Sequence, residues 1–231
     1  MTSGPWNRGR TVGQRTAFTP AECRLIVETL SARRLWRDLC LFRLGVDSML
    51  RVGDLARLRV EDVLDANGIV ETIRWRQQKS DRGVFPALTG DTREACAHWL
   101  HLCGKSGASP LFSAEGRNTP LHTSSLRRLV KRWAAWIGKD PRHYSGHSMR
   151  RTKPLYLYDQ GVPIERISKL LGHSSLETTL IYLDIRLSEA QADTLRHDIF
   201  AARQRRAKLP SPWSDADIDR LATAVARKMK K

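Results

Sequence analysis

Apolar residues along this chain recur mostly with the three-to-four spacing of amphipathic helices. Residues 1–18 lack any period and are polar and basic (Arg8, Arg10, Arg15), which reads as a flexible basic arm. A helix opens at Thr19-Pro20-Ala21-Glu22. Thr19 is a capping hydroxyl, Pro20 suits the first helical position, and Glu22 completes a capping box. Cys23, Leu25, Ile26 and Leu30 form the apolar side. The pattern predicts further helices over 35–46 and 52–58. From Ile69 the period shortens to two: residues 69–75 and 84–88 are β-branched or apolar runs joined by the polar stretch Gln77–Gly83, a small hairpin or edge sheet. Helices resume near Asp91. Over 123–137, Leu126, Leu129, Val130, Trp133 and Ile137 share one face, with Arg127, Arg128, Lys131 and Arg132 around the others. Helices follow over 148–160, 163–171, 174–183 and 188–206, with Pro163 at a first turn and Gly172 at a stop. Leu209-Pro210-Ser211-Pro212 breaks the chain before a last amphipathic helix capped by Ser214 and bearing Ile218, Leu221, Val225 and Met229. The fold class is therefore mainly α with a small antiparallel β-sheet. Its segments are an arm (1–18), a main domain (19–206), a linker (207–213) and a C-terminal helix (214–231).

Composition narrows the function. The 231 residues suffice for one sizeable domain, and 41% of them are hydrophobic, as in an ordinary globular protein. No apolar run approaches the roughly 20 residues of a membrane helix, and no signal-peptide pattern follows Met1. The expected location is cytoplasmic and the expected partners exclude a membrane. Cys23, Cys40, Cys96 and Cys103 form no C-x-x-C pair and sit in helical stretches, as buried thiols of a reducing compartment would. A metal site from Cys96, His98, His101 and Cys103 competes with a simpler reading, because Cys96, Trp99, Leu100 and Cys103 follow i, i+3, i+4, i+7, the core stripe of one helix. No metal or other cofactor is expected. Charge adds most: 40 Lys and Arg against 24 Asp and Glu leave +16, which points to a polyanion such as nucleic acid. Arg127, Arg128, Lys131 and Arg132 are the candidate backbone contacts.

Four separated clusters carry candidate chemistry. Arg51 begins a short helix, with Asp54 one turn on, placed to hold its guanidinium. Lys79 lies in the polar tip between the two β runs. His147 and Arg150 stand three apart on one helical face. Leu170-Leu171-Gly172-His173-Ser174-Ser175 leads through Thr178-Thr179 to Tyr182, nine positions after His173.

These clusters, in this order, resemble the tyrosine recombinase (phage integrase) family over roughly residues 19–200. That family has an arginine in an L-R-x-x-E-L-like box, a hairpin lysine, H-x-x-R, and L-G-H followed nine positions later by a tyrosine. The resemblance implies a tyrosine-recombinase-like catalytic domain. It also implies a nucleophile, Tyr182, that attacks a DNA phosphorus to give a covalent 3′-phosphotyrosyl intermediate and a free 5′ hydroxyl, with no cofactor. A phosphodiester is an anion, so Arg51 and Arg150 suit a clamp on its non-bridging oxygens, with His173 as a further donor. A phenol titrating near 10 needs a proton acceptor, for which His147 is placed. By the family pattern Lys79 protonates the leaving sugar oxygen. Asp54 replaces the family's more usual glutamate, and Pro154 follows soon after Arg150. Tyr144, Tyr156 and Tyr158 lack the spacing to His173.

Only about 18 residues precede the first helix, where many members carry a separate DNA-binding domain. The expectation is a catalytic domain similar to the short invertase-type members. The implied partners are double-stranded DNA, further copies in a homo-tetramer on paired sites, and an accessory DNA-binding protein. Outcomes span integration, excision, inversion and resolution in a prokaryotic or mobile-element setting at the nucleoid. A type IB topoisomerase-like nicking-closing enzyme and a non-catalytic DNA-binding regulator are the rival readings. Ile218, Leu221 and Val225 are expected to dock on a neighbouring subunit or on the chain's own domain.

Overall fold

A computed structural model of the protein describes residues 15–114 and 116–183. The helices read over 188–206 and 214–229, the linker between them and the arm before residue 15 lie outside the described residues.

Helix α1 (Pro20–Ala32) starts with the capping box foreseen: Glu22 N–H donates to Thr19 Oγ1 at 3.2 Å and Thr19 N–H to Glu22 Oε2 at 3.0 Å. Its Ile26 and Leu30 enter the core, whereas Leu25 faces solvent. Helix α2 (Trp36–Asp47) buries Leu39, Cys40, Leu41, Phe42 and Leu44, nearly all round, as a central helix must. It packs against α1, α4 (Gly90–Cys103) and α6 (Gly146–Asp159). Cys96 of α4 meets Cys40 at 3.4 Å, sulfur to sulfur, while His98 turns onto Trp36 with ring centroids 4.5 Å apart. The stripe through Cys96 and Leu100 thus faces the core. Among the described residues, no group of three or more His, Cys, Asp or Glu converges to hold a metal ion. Nor is any described helix long and apolar enough to cross a membrane.

Short α3 (Val52–Ala56) leads into two hairpins. The first, β1 (Leu64–Asp65) with β2 (Gly68–Ile69), was not foreseen; its tight turn has Asn67 N–H donating to Asp65 Oδ1 at 2.8 Å. The second pairs β3 (Trp75–Arg76) with β4 (Gly83–Val84) in antiparallel register Trp75↔Val84. Pairing of the predicted runs continues at Thr72↔Ala87, with Ile73 N–H donating to Pro86 O, but regular strand is only two residues a side. Pro86 has no N–H to return.

Helix α5 (Thr123–Trp136) buries Leu126, Leu129, Val130 and Trp133 as expected. Trp133 stands edge-on to Phe42 at 5.6 Å. Phe18, read as the end of the arm, is 3% exposed, edge-on to Phe42 and stacked on Tyr144 at 4.7 Å. Burying such a ring stabilises the fold by about 1.5–3 kcal/mol. Residues 15–18 are tied down as well: Thr16 N–H donates to His143 O and Phe18 N–H to Thr152 Oγ1 at 3.1 Å. Helices α7 (Ile164–Leu171) and α8 (Leu176–Leu183) close a second, smaller core of Met49, Ile167, Leu171 and Leu183.

Candidate active site

Four of the sequence-predicted residues come together where α3, α6, α7 and α8 meet. Helix α6 starts at the Ser145 cap, whose Oγ accepts from His147 N–H at 3.2 Å while Ser145 N–H donates to Ser148 Oγ at 3.0 Å. Gly146, the first residue of α6, lies hard against Val52: a Cβ there would overlap the Val52 Cγ2 methyl. That close approach sets the first turn of α3 beside the first turn of α6, and so Arg51 beside Arg150. Arg150 is 2% exposed, and its guanidinium donates to the carbonyls of Met49 and of Leu171, the latter at 3.0 Å.

Arg51 is the N-cap of α3 in extended conformation (φ −65°, ψ 149°). Its partner corrects the expectation. Asp54 does not hold it; that buried carboxylate accepts from Arg57 Nη2 at 2.9 Å and from Gln78 N–H at 3.2 Å. The extended backbone of Arg51 takes it off the helical face, whereas Arg57, the C-cap, keeps helical backbone, so the one-turn spacing works between Asp54 and Arg57. Arg51 Nη1 donates instead to Gln77 Oε1. Gln77 is 1% exposed, and its Nε2 donates to Leu171 O at 3.1 Å, the carbonyl that also receives Arg150.

Gly172 ends α7 in the left-handed region (φ +66°), and a Cβ on it would lie 2.7 Å from Val84 Cγ1 and 3.2 Å from Gln77 Nε2. The hairpin therefore rests directly on the turn that delivers His173. Arg82 Nη1 donates to His173 O at 2.9 Å, and His173 Nδ1 meets Thr179 Oγ1 at 2.9 Å. Tyr182, on α8, presents its ring edge-on to His173 at 5.3 Å. The Arg150 and Arg151 guanidinium carbons lie 5.9 and 5.8 Å from its centroid. Tyr182 Oη is buried with no hydrogen-bond partner among the described residues.

Lys79 sits exposed in the β3–β4 turn, and His147 keeps an exposed edge. Of the candidate backbone contacts, Arg127, Arg128 and Lys131 lie on the exposed side of α5. Arg128 also donates to Ser125 Oγ at 3.1 Å. Arg132 differs: its head reaches Asp38 at 3.4 Å and stacks 5.3 Å from the Trp136 ring, within the fold's own network. Pro154 lies inside α6, past its first turn, and the helix runs through it. The N–H it lacks would have met the Arg150 carbonyl, so the interruption begins at the backbone of Arg150 and leaves the first turn with His147 intact.

Electrostatics follow from this crowding. Burial pushes the Tyr182 phenol up to about 12, against the pull of Arg150, Arg151 and Arg51. His173 is lowered to about 4 by burial and then by Arg150 and Arg51. His147 is lowered by the atoms packed around its ring, and further by Arg150, Arg127, Arg51 and Lys79. At neutral pH both imidazoles are thus uncharged, and two fixed guanidiniums face a protonated tyrosine. Such a cluster is chemically suited to an anion and to proton transfer at its edge. The sequence assigns no site role to Gln77, Arg151, Thr179 or Gly146, although Gln77 and Thr179 stand in stretches it singles out. The dipeptide Arg150-Arg151 and a glycine just before H-x-x-R were available signals for two of them.

A tyrosine recombinase of Pseudothermotoga lettingae is 32% identical over 166 residues, covering 72% of this chain and 55% of its own. Tyrosine recombinase XerC of Neisseria gonorrhoeae is 38% identical over 149 residues, 63% of this chain and 46% of its own. The chain spans about half the length of these curated relatives. Among solved structures, XerA recombinase superposes with a TM-score of 0.65 at 22% identity, covering 80% of this chain and 66% of that one. XerH bound to palindromic difH after cleavage also gives 0.65, at 20% identity, over 80% of this chain and 53% of that one. These two show a shared fold. Residues 17–189 match the profile of the phage integrase family, three quarters of the sequence, and the chain belongs to that family.

Proposed function

We propose that the chain is a site-specific DNA recombinase that cuts and rejoins strands through Tyr182. The observation that carries the reading is the position of Tyr182 itself. Its ring lies against His173, from the turn after α7, and against Arg150 and Arg151 of α6, with its hydroxyl buried beside their guanidiniums. Among the described residues that hydroxyl meets no partner at hydrogen-bond geometry, and Arg150 is the first cation acting on it, placed to meet the charge of an anion bound there. In this reading a DNA phosphate enters between Arg51 and Arg150, which hold its non-bridging oxygens. In the same reading His173 takes the tautomer in which Nδ1 accepts from the Thr179 hydroxyl and the proton sits on Nε2, a third donor to the phosphate. Tyr182 Oη attacks phosphorus, its proton passes to neutral His147, and the bond to the 5′ oxygen breaks as Lys79 supplies a proton. The 3′-phosphotyrosyl bond keeps the energy needed for rejoining.

XerH is described in complex with difH, and lambda integrase as a dimer on a core site. By likeness, double-stranded DNA is the proposed partner here, with four copies pairing two sites and an accessory protein completing the grip. Arg127, Arg128 and Lys131 are proposed to meet the backbone.

Covalent capture tests this. The protein is incubated in EDTA with DNA fragments flanking its gene, quenched in detergent and examined for adducts. Adducts that vanish with Tyr182→Phe, while DNA binding persists, are expected. Arg150→Ala should slow capture by ~10²-fold or more. Near-normal rejoining by either variant would overturn the mechanism. Relaxation of a supercoil without exchange between two sites would favour a nicking-closing enzyme instead.

A further inference from the structure

We infer that Gln77 is the positioning residue for Arg51, and that it serves as a neutral amide so that the guanidinium charge stays available to the DNA phosphate. The inference rests on the tyrosine mechanism proposed above and adds a residue to it.

The observation is a buried side chain with three hydrogen bonds at the junction of three elements. Gln77 Oε1 accepts from Arg51 Nη1 and from Ser80 Oγ, the latter at 2.8 Å, and Nε2 donates to Leu171 O at 3.1 Å. Its own N–H donates to Arg82 O at 2.8 Å and its carbonyl accepts from Asp81 N–H at 2.9 Å. A buried amide is costly unless satisfied, so a residue packed this way is specified by its partners. Those partners are the start of α3, the turn that carries Lys79, and the end of α7 next to His173. Leu171 O also receives Arg150 Nη2 at 3.0 Å. One side chain therefore sets Arg51 relative to Arg150 and ties the Lys79 turn to both.

The choice of acceptor matters. A carboxylate is the usual mate of a buried arginine and would bond it more strongly. It would also cancel the charge that must attract the phosphate. Asp54, the carboxylate three residues on, is occupied by Arg57 and Gln78 N–H. Arg51 is thus oriented by a dipole and keeps its net charge.

The test compares Gln77→Ala and Gln77→Glu with wild type on the duplex that wild type captures, separating duplex affinity from the cleavage rate at saturating protein. Melting midpoints identify any variant that fails to fold. Gln77→Ala should cut about a hundredfold slower, the loss expected of ångström-scale misplacement. Its affinity should stay within about threefold, since Arg51 loses orientation but not charge. Gln77→Glu keeps an acceptor for Arg51 and should still be slow, because the phosphate then meets a neutralised pair. Protein labelled with 15N in its arginine side chains gives a readout free of activity: hindered Nη signals of Arg51, identified by their loss in Arg51→Lys, should collapse in Gln77→Ala. Wild-type rates for Gln77→Ala overturn the positioning role, and wild-type rates for Gln77→Glu overturn the need for an amide. If wild type itself forms no adduct, the tyrosine mechanism fails separately. The Arg51 signals then decide alone, and their survival in Gln77→Ala refutes the inference.

Discussion

Gly172→Ala probes the joint between the hairpin and the α7–α8 turn, and its cost can be worked from two terms. The left-handed conformation (φ +66°) costs an alanine about 1–2 kcal/mol. The new methyl, 2.7 Å from Val84 Cγ1 and 3.2 Å from Gln77 Nε2, adds an overpacking cost of about 1–3 kcal/mol. Reduced freedom of the unfolded chain returns about 0.4–1 kcal/mol. The net loss is about 1–4.5 kcal/mol, readable as a shift in the urea midpoint at constant m. The two terms separate in a double-mutant cycle with Val84→Ala, which removes the methyl that is struck. In that background Gly172→Ala should cost mainly its backbone part, leaving a coupling of about 1–2 kcal/mol. Strict additivity, to within about 0.5 kcal/mol, would refute the claim that the hairpin bears on this turn. So would a Gly172→Ala cost below about 0.5 kcal/mol, for then the glycine does nothing that alanine cannot.

Other perturbations test other parts. Gly146→Ala should destabilise by about 1–3 kcal/mol through overlap with Val52, although alanine is normally the better helix former. Val52→Ala should relieve most of that, and a neutral Gly146→Ala in urea unfolding would dismiss the close approach of α3 and α6. Because the folded pKa of His173, about 4, lies below its ordinary 6.5, the folded state binds fewer protons between those values. His173 therefore contributes stability above pH 6.5 that is lost as pH falls through 4. The slope of stability between pH 6.5 and 4 should be shallower in His173→Gln, and an unchanged slope would contradict the burial argument. Finally, Arg127→Ala and Lys131→Ala should each reduce the salt dependence of DNA binding by about 0.9 per lost phosphate contact. Arg132→Ala should leave the salt slope alone and lower the melting midpoint, since its head is held by Asp38 and Trp136; the opposite outcome would return it to the interface.

Much of the fold could be read in the chain because local chemistry decided it. The α1 capping box, the α5 stripe and the stop at Gly172 each depend on a few adjacent residues, and all three are present. The β1–β2 hairpin was overlooked although Asn67-Gly68 is a turn signal, because its strands are two residues long and carry no period. Leu25 fits the apolar rhythm of α1 yet faces solvent, since the rhythm fixes a stripe but not its width. At the candidate site, order and type single out Arg51, Arg150, His173 and Tyr182, and the fold brings these four near one another. Asp54 was given the wrong arginine, because spacing alone does not say that Arg51 is a cap rather than a helical residue. Gln77 was invisible for a different reason: an uncharged amide in a turn declares nothing until the fold brings Arg51 and Leu171 O to it.

The two arginines of the site differ in what a single codon change can do to them. Arg150 is anchored by the carbonyls of Met49 and Leu171, which are main-chain atoms and survive any substitution at those positions. Arg51 depends on the side chain of Gln77, which one base change can remove. Random mutagenesis should therefore find second-site losses of function clustered around Arg51, while the surroundings of Arg150 tolerate replacement as long as the backbone keeps its course.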